Sequence, residues 1–457
     1  MFNLNETSRN TVYFTISTFG SKAISFALLP LYSYKLSVGE FGELDLLLTM
    51  SMLLMPMMTL SLFEAVQKYL LSKEAGHSEI MSTAIIPFLG VCVVFFFLFF
   101  LVDIYFPNIN YVYYLLLLLV SSSIFEFFSR YVKGIDRVFS FAIASLIFSF
   151  TLLIYNLLFL YLLDFNVKGV VLSYILAYST SIIYLYISSG INKIIRLDCV
   201  NFSLFKRMLL LSSPLILNTM MWWVFDVSDR WLILYFLDKQ AVGIYSMACK
   251  IAGLLLIIHT IIFQTWQVFA IKNYRSSNSK EGYDKFTKFY FLIIFISASF
   301  LMSISGLIFD YLFSSSYVDS WVVSNYLIIG SVFFSISSYF GVYYVVVGKT
   351  KRALSTSMLA AILNIFLNLV FIPKIGLKGA VIATVISNLF LMAVRAKDTK
   401  KLISTEHGYY LLTTLILCLL VQLYLSTAFP IYISLIIPFS LIFCLIMAWR
   451  SKGNSRI

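Results

Sequence analysis

Charged residues are scarce in this sequence. Only 12% of the 457 residues are Asp, Glu, Lys or Arg, whereas 61% are hydrophobic, and the mean hydropathy is +0.93. A soluble domain carries about 25% charged and about 45–50% apolar residues, so this composition excludes a soluble protein. It also excludes a large domain outside the membrane, because about 14 spans of ~20 apolar residues use ~280 residues and leave only helix ends and short loops.

Cysteine and histidine are also few. The five cysteines are scattered, form no C-x-x-C pair and lie mostly in apolar runs. That distribution is typical of small core residues rather than of disulfides or a metal site. The three histidines, His77, His259 and His407, are too far apart in the sequence to suggest a ligand cluster. We therefore expect no cofactor and no resident metal ion.

Long hydrophobic runs make up most of the chain. The first run, 11–36, is too long for the apolar region of a cleavable signal peptide. It is followed by further runs of spanning length, so the sequence predicts an all-α polytopic membrane protein of about 14 transmembrane helices. The predicted spans are 11–36, 44–66, 80–102, 111–129, 139–163, 167–191, 208–236, 241–271, 286–311, 321–347, 352–372, 376–395, 408–428 and 430–449.

The lysines and arginines indicate the orientation. With a cytoplasmic N-terminus, 25 of the 33 basic residues fall in cytoplasmic tails and loops, three fall inside spans and five fall in the opposite loops, namely Lys35, Lys168, Lys239, Lys374 and Lys378. Because positive charge near span ends resists translocation, this split predicts that both termini are cytoplasmic. The net charge of +12 is then a marker of topology, and no nucleic-acid partner is expected.

A short turn recurs within the chain. The sequence 168–171 (KGVV) lies at the turn of one long apolar hairpin. A similar sequence, 378–381 (KGAV), lies at the turn of another hairpin 210 residues later, on the same predicted side of the membrane. A weaker match joins 38–42 (VGEFG) to 240–244 (QAVGI). Both matches favour parallel repeats about an axis along the membrane normal. The predicted organisation is an N-terminal lobe of spans 1–6 (1–200), a C-terminal lobe of spans 7–12 (201–400), and spans 13–14 with a tail (401–457).

Five ionisable residues of the predicted spans lie at similar depth, in one slab of the membrane. Lys22 in span 1 and Asp226 in span 7 are about 18–21 Å from the external end, near the midplane. Asp229, Arg230 and Lys250 are about 13–15 Å deep by the same rule. A charge at the centre of a membrane helix costs about 2.5–3.5 kcal/mol on insertion scales, and such residues are functional candidates. Three cations against two acids leave one surplus positive charge, which suits an anionic ligand such as a phosphate group.

Polar side chains accompany these charges along single helix faces. Asn218 and Trp222 share the face of span 7 with its charges, and span 11 adds Asn364 and Asn368. These stripes predict a hydrated cavity. A purely structural interpretation is open as well, with Asp226 paired to Arg230 in one helix and Asp229 paired to Lys250 across helices. Glu64 and Glu126 lie near cytoplasmic span ends, where a structural role is expected.

Several motifs together resemble the polysaccharide flippases of the O-antigen (Wzx) type. They are the Pro-containing end of the first span, 27–32 (ALLPLY), the Gly-bearing loop 36–42 (LSVGEFG), and the basic or turn segments 130–134, 168–170 and 349–352. The resemblance implies membership of the multidrug/oligosaccharidyl-lipid/polysaccharide exporter superfamily. It also implies a MATE-like fold with two six-helix lobes around a central cavity, plus two C-terminal helices.

The resemblance further implies a function. The expected activity is translocation of undecaprenyl-diphosphate-linked oligosaccharide across the bacterial cytoplasmic (inner) membrane for O-antigen, lipopolysaccharide or capsule biosynthesis, by a transporter and not an enzyme. Lys22, Arg230 and Lys250 lie in the same spans and at the same depth in the membrane as cationic residues of related lipid flippases, and the resemblance implies that they correspond to them. They are the expected diphosphate ligands, and Asn218 and Trp222 the expected cavity lining. Polymerase and chain-length proteins of the same pathway are the implied protein partners.

Three other functions are weighed against this one. A multidrug exporter of the same fold should have a net acidic cavity for cationic drugs, which the surplus positive charge disfavours. A glycan polymerase or ligase needs a longer external loop than any found in the sequence. A channel or scaffold does not need a slab of charges in both repeats.

Asp226 and Asp229 are the candidates for coupling transport to an H⁺ or Na⁺ gradient. A carboxyl group between apolar surroundings and a nearby cation can change its protonation when that cation moves. Asp226 is favoured, because it lies nearer the midplane, where both access states can reach it. The alternative is a permanent Asp226–Arg230 pair that only permits membrane insertion.

Overall fold

Helices account for the architecture. The computed structural model describes residues 4–107, 111–191, 194–273, 279–399, 406–429 and 431–441, and within these ranges it contains no strand. The α-helices are α1 (Leu4–Lys35), α2 (Val38–Met58), α3 (Leu62–Ser72), α4 (His77–Tyr105), α5 (Val112–Gly134), α6 (Val138–Asn156), α7 (Asn166–Ser189), α8 (Phe202–Phe236), α9 (Lys239–Asn273), α10 (Ser279–Leu312), α11 (Ser320–Val346), α12 (Thr350–Ile375), α13 (Leu377–Thr399), α14 (Glu406–Ala428) and α15 (Ile431–Ser434).

Twelve helices of the described part of the chain are long and apolar enough to cross a membrane. The all-helical, multi-span fold is therefore confirmed. The first predicted span, 11–36, is α1, which lies outside this set of twelve, and the last, 430–449, lies partly outside the described residues. Many helices carry large apolar side chains on their exposed faces, as α4 does with Val93, Phe96 and Phe97, and such surfaces suit contact with lipid.

The chain forms two compact units, Met1–Asp226 and Val227–Ile457, with the boundary inside α8. In the first unit α7 packs against α5 and α6, α1 packs against α6, and α3 packs against α5. One apolar core of this unit lies around α3, α4 and α5, with Leu62, Val66, Phe88, Phe127 and Val132 at most 1% exposed.

The second predicted span, 44–66, is interrupted in the structure. α2 ends at Met58 and α3 begins at Leu62, and between them the backbone N–H of Ser61 donates to the Pro56 carbonyl while that of Leu60 donates to the Met57 carbonyl. This is the Schellman pattern of a helix C-terminus, which requires a left-handed residue. Leu60 takes that conformation with φ at 52°. No glycine marks the break, so the sequence pattern predicted a continuous helix.

In the second unit α11 is central. It packs against α9, α10 and α13, while α12 packs against α13 and α14 against α10. The interior of the second unit is rich in buried tyrosine and phenylalanine, and the rings of Trp266 on α9 and Tyr339 on α11 stack with centroids 4.4 Å apart. Large aromatic surfaces of this kind supply most of the packing between these helices.

The repeated K-G-[VA]-V turn has one packing role in both units. A Cβ on Gly379, in the first turn of α13, would lie 2.5 Å from the Phe371 carbonyl oxygen on α12. A Cβ on Gly169, in the first turn of α7, would lie 2.8 Å from Phe165 Cβ and 3.1 Å from Phe159 Cβ. Each glycine therefore permits a close approach to the segment that precedes its helix.

Candidate functional site

Asp229 lies in the interior of the second unit and is hydrogen-bonded by three other helices. Asp229 is 3% exposed. The Tyr245 hydroxyl on α9 donates to Asp229 Oδ2 at 2.6 Å, and the Thr384 hydroxyl on α13 donates to the same oxygen at 2.6 Å. Asn368 Nδ2 on α12 donates to Asp229 Oδ1 at 2.5 Å. The carboxylate is thus the point where α8, α9, α12 and α13 meet.

Helical spacing brings the polar groups of α12 to this point. Asn364 and Asn368 are four residues apart, so they share a face, and Asn368 Nδ2 also donates to Asn364 Oδ1 at 3.1 Å. Both residues are buried, at 3% and 0% exposure. The Oδ1 atom of Asn368 is buried and has no hydrogen-bond partner among the described residues. A carboxylate and a spare amide oxygen therefore lie in one buried cluster, which is rich in acceptors.

Burying the Asp229 carboxylate costs free energy unless hydrogen-bond donors surround it. A buried charge without hydrogen bonds is strongly disfavoured, and one with several donors is tolerated. Three donors satisfy the Asp229 oxygens, which offsets part of the cost of burying the carboxylate. Two of these donors have a second acceptor within reach, because Asn368 Nδ2 also donates to Asn364 Oδ1 and the Thr384 hydroxyl lies 3.0 Å from the Ala380 carbonyl oxygen. Hydroxyl, amide and carboxylate oxygens are the ligand types that hard cations prefer, and a carboxylate can also take a proton. The cluster can therefore hold either a proton or a small hard cation.

The structure places the predicted cationic ligands on two units. Lys22 is exposed on α1 of the first unit. Arg230 on α8 and Lys250 on α9 are half-buried in the second unit. All three positions fall in the interior of long helices, as the spans predicted.

The remaining predicted residues lie on α8. Asn218 is exposed, and Trp222 is 44% exposed with its ring edge-on to Phe225. The neighbouring Trp223 differs, because its Nε1 donates to the Thr49 carbonyl of α2 at 2.6 Å and so joins α8 to α2 within the first unit. The backbone of Asp226 belongs to α8, and its side chain lies outside the described residues.

Two partners of Asp229 were missed by sequence reasoning. Tyr245 is one of 30 tyrosines, and nothing in the pattern separates it from the rest. Thr384 is a polar residue in an otherwise apolar stretch of α13, a signal that could have been used. Asn364 and Asn368, in contrast, were among the predicted polar residues of the cavity-facing spans.

A second ionic cluster lies in the first unit, where α3 meets α5. Arg130 Nε donates to Glu126 Oε1 at 2.6 Å, Arg130 Nη2 lies 2.9 Å from Glu64 Oε1, and Arg130 Nη1 donates to Gln67 Oε1 at 2.9 Å. The guanidinium also lies over the Phe63 ring, 5.4 Å from its centroid. Glu64 and Glu126, expected to be structural, thus join two helices through one arginine.

Comparisons with known proteins agree on the family and on the fold. The family described as "Polysaccharide biosynthesis protein" matches residues 7–267. A lipid II flippase, MurJ, in an inward closed conformation is similar over 97% of this chain and 100% of its own, with a TM-score of 0.68 and 17% identity. No curated protein matches the sequence significantly.

Multidrug transporters share the same fold. An inward-facing MATE family transporter of the MOP superfamily is similar over 86% of this chain and 98% of its own, with a TM-score of 0.69 and 15% identity. A MOP superfamily transporter from Pyrococcus furiosus is similar over 87% and 95%, with a TM-score of 0.61 and 15% identity. At these identities the structural likeness establishes the fold, and these similar proteins are transporters rather than enzymes.

Proposed function

Since the chain belongs to the polysaccharide biosynthesis protein family, we propose that it flips an oligosaccharide linked to undecaprenyl diphosphate across the bacterial cytoplasmic membrane by alternating access. The cargo would serve O-antigen, lipopolysaccharide or capsule assembly. The observation that carries the proposal is the surplus of cations in the interior of membrane helices, with Lys22, Arg230 and Lys250 against Asp226 and Asp229. A positive surplus favours an anionic cargo.

The diphosphate is held by Lys22, Arg230 and Lys250. The guanidinium offers a planar fork that matches two phosphate oxygens, and the ammonium groups act as point charges. In low-dielectric surroundings these contacts are stronger than in water, which offsets the cost of removing a diphosphate from solvent. The lipid tail stays in the bilayer while the glycan crosses along the polar helix faces. The exposed side chains of Asn218 and Trp222 on α8 offer the glycan a hydrogen-bonding amide and a flat apolar surface.

Transport is coupled to an H⁺ or Na⁺ gradient through an acid of α8. Asp229 is supported by its contacts, because its carboxylate lies beside the spare Asn368 oxygen and two hydroxyl groups. A bound proton or sodium ion would rearrange these hydrogen bonds and so change the packing of α8 against α9, α12 and α13. Asp226 is supported by its depth alone.

The same family membership suggests the setting of the protein. Both termini lie on the cytoplasmic side, as the 25-to-5 division of loop lysines and arginines favours. Polymerase and chain-length proteins of the same pathway would then receive the flipped cargo at the outer face.

A multidrug exporter is the alternative, favoured by the likeness to MATE transporters. One reconstitution experiment separates the two. Purified protein in liposomes is given undecaprenyl-diphosphate oligosaccharide with a fluorescent label on the glycan, and an impermeant quencher reports the fraction on the outer leaflet. We expect the protein to accelerate exchange of the label between leaflets. No acceleration, together with gradient-driven ethidium transport by the same preparation, would assign the protein to drug export.

A further inference from the structure

A cleft opens in the second unit where α11 ends and α12 begins. It has a volume of about 590 Å³ and is lined by Tyr343, Tyr344, Gly348, Lys349, Thr350, Lys351, Arg352 and Asp398. Along α12, Arg352 precedes Asn368 by 16 residues, or about 24 Å at ~1.5 Å per residue. The cleft is therefore separate from the Asp229 cluster, and nothing in the proposed transport mechanism uses it.

Positive charge dominates the lining. Lys349 and Lys351 are exposed, and neither takes part in an ion pair among the described residues. Arg352 Nε donates to Asp398 Oδ2 at 2.8 Å, and the Tyr344 hydroxyl donates to the same oxygen at 2.7 Å. The Asp398 charge is thus matched by Arg352, which leaves the two lysines as the surplus.

The other lining groups favour a phosphate over a bulky organic anion. Thr350 supplies an exposed hydroxyl at the start of α12, where the peptide dipoles of a 26-residue helix also favour negative charge. Tyr343 and Tyr344 form an amphipathic wall, which is typical of the boundary between headgroups and acyl chains. The distribution of basic residues assigns this end of the helices to the cytoplasmic leaflet.

We propose that this cleft binds the phosphate headgroup of an anionic phospholipid of the inner leaflet. Basic pockets between membrane helices on the cytoplasmic side take such headgroups, and each lysine near the surface adds attraction. Lys349 and Lys351 pair with the phosphodiester, Thr350 donates to one of its oxygens, and the Tyr344–Asp398–Arg352 chain holds the floor of the cleft in place. A bound lipid would fasten the loop between α11 and α12 to the membrane surface.

The test is a binding titration with full-length protein in a neutral detergent. The ligands are dioctanoyl phosphatidylglycerol, dioctanoyl phosphatidylcholine and inorganic phosphate, with native mass spectrometry as the measurement. The double variant Lys349→Ala, Lys351→Ala should weaken phosphatidylglycerol binding by about tenfold to thirtyfold, since each lysine near the surface contributes on the order of one kcal/mol. The Lys349→Arg, Lys351→Arg variant should keep the affinity within about threefold, because the charge is retained.

A matched control lies where α12 ends and α13 begins. Lys374 on α12 and Lys378 on α13 are exposed at the opposite ends, so Lys374→Ala, Lys378→Ala removes the same charge elsewhere. Equal losses in both double variants, or equal binding of phosphatidylcholine, would overturn the proposal. Binding of inorganic phosphate as tight as that of phosphatidylglycerol would assign the cleft to a soluble anion and overturn the lipid assignment.

Discussion

Thr384 on α13 donates a hydrogen bond to the Asp229 carboxylate on α8 at 2.6 Å, across 155 residues of chain. The sequence made Asp229 a coupling candidate, because a carboxyl group between apolar surroundings and a nearby cation can change its protonation when that cation moves. The hydrogen bond from the Thr384 hydroxyl links this carboxylate on α8 to α13. The carboxylate is therefore a structural centre of the second unit.

Loss of the Thr384 hydroxyl should destabilise the second unit. Thr384→Val keeps the side-chain shape and removes one donor to Asp229, so we expect a loss of about 1–2 kcal/mol of folding free energy and a lower Tm in detergent. Thr427→Val is the control, because the exposed Thr427 hydroxyl donates only to carbonyl groups of its own helix, α14. An unchanged Tm for Thr384→Val would show that this hydrogen bond contributes nothing to stability.

Neutralising Asp229 should uncouple transport from the ion gradient. Asp229→Asn keeps an oxygen for the hydroxyl donors but cannot exchange a charge, so we expect leaflet exchange of labelled cargo to lose its response to an imposed H⁺ or Na⁺ gradient. The charge-swapped pair Asp226→Arg, Arg230→Asp tests the other acid in the same assay. Full activity of the swapped protein would contradict a coupling role for Asp226, and a normal gradient response in Asp229→Asn would contradict one for Asp229.

Lys22 should act through its charge. Lys22→Ala and Lys22→Gln should reduce flipping at least about tenfold, whereas Lys22→Arg should retain more activity, because only the arginine keeps a cation for the diphosphate. The measurement is surface glycan in cells, with protein in the membrane fraction quantified in parallel. Lys206→Ala, an exposed lysine at the start of α8, is the matched control and should behave as wild type. Equal activity of the Gln and Arg variants would exclude Lys22 as a diphosphate ligand.

Arg130 should stabilise the first unit by joining α3 to α5. Arg130→Met removes the guanidinium that both Glu64 and Glu126 contact, so we expect a loss of about 1–3 kcal/mol of folding free energy. Arg130→Lys should recover only part of this, because an ammonium cannot present the planar fork that reaches both carboxylates and Gln67. Chemical unfolding in detergent measures the effect, and Arg207→Met, an exposed arginine on α8, serves as the control. A Lys variant as stable as wild type would show that the fork geometry is immaterial.

Cysteine labelling in intact cells should report the orientation. After replacement of the five native cysteines, Lys168→Cys and Ser316→Cys should react with an impermeant maleimide, whereas Lys351→Cys and Lys280→Cys should be protected. Permeabilised cells provide the control, since all four positions should then react. Labelling of Lys280→Cys in intact cells would reverse the assigned topology.

The sequence by itself determined the helices. Apolar runs of spanning length have no stable alternative in a bilayer, because every backbone group must be paired within the segment, so the predicted span 286–311 reappears inside α10 (Ser279–Leu312). The similarity between the segments around Gly169 and Gly379 is visible in the sequence alone. Asp229 was recognisable as unusual, because a charged side chain in an apolar membrane helix is energetically unfavourable and therefore rare.

Only the tertiary structure decided which groups meet. The partners of Asp229 come from three other helices, and a hydroxyl such as that of Tyr245 donates to the acceptor that the packing brings near it. The break between α2 and α3 at Leu60 also depends on tertiary contacts. A leucine adopts the left-handed conformation only where surrounding contacts compensate for its strain, and the local sequence does not show those contacts.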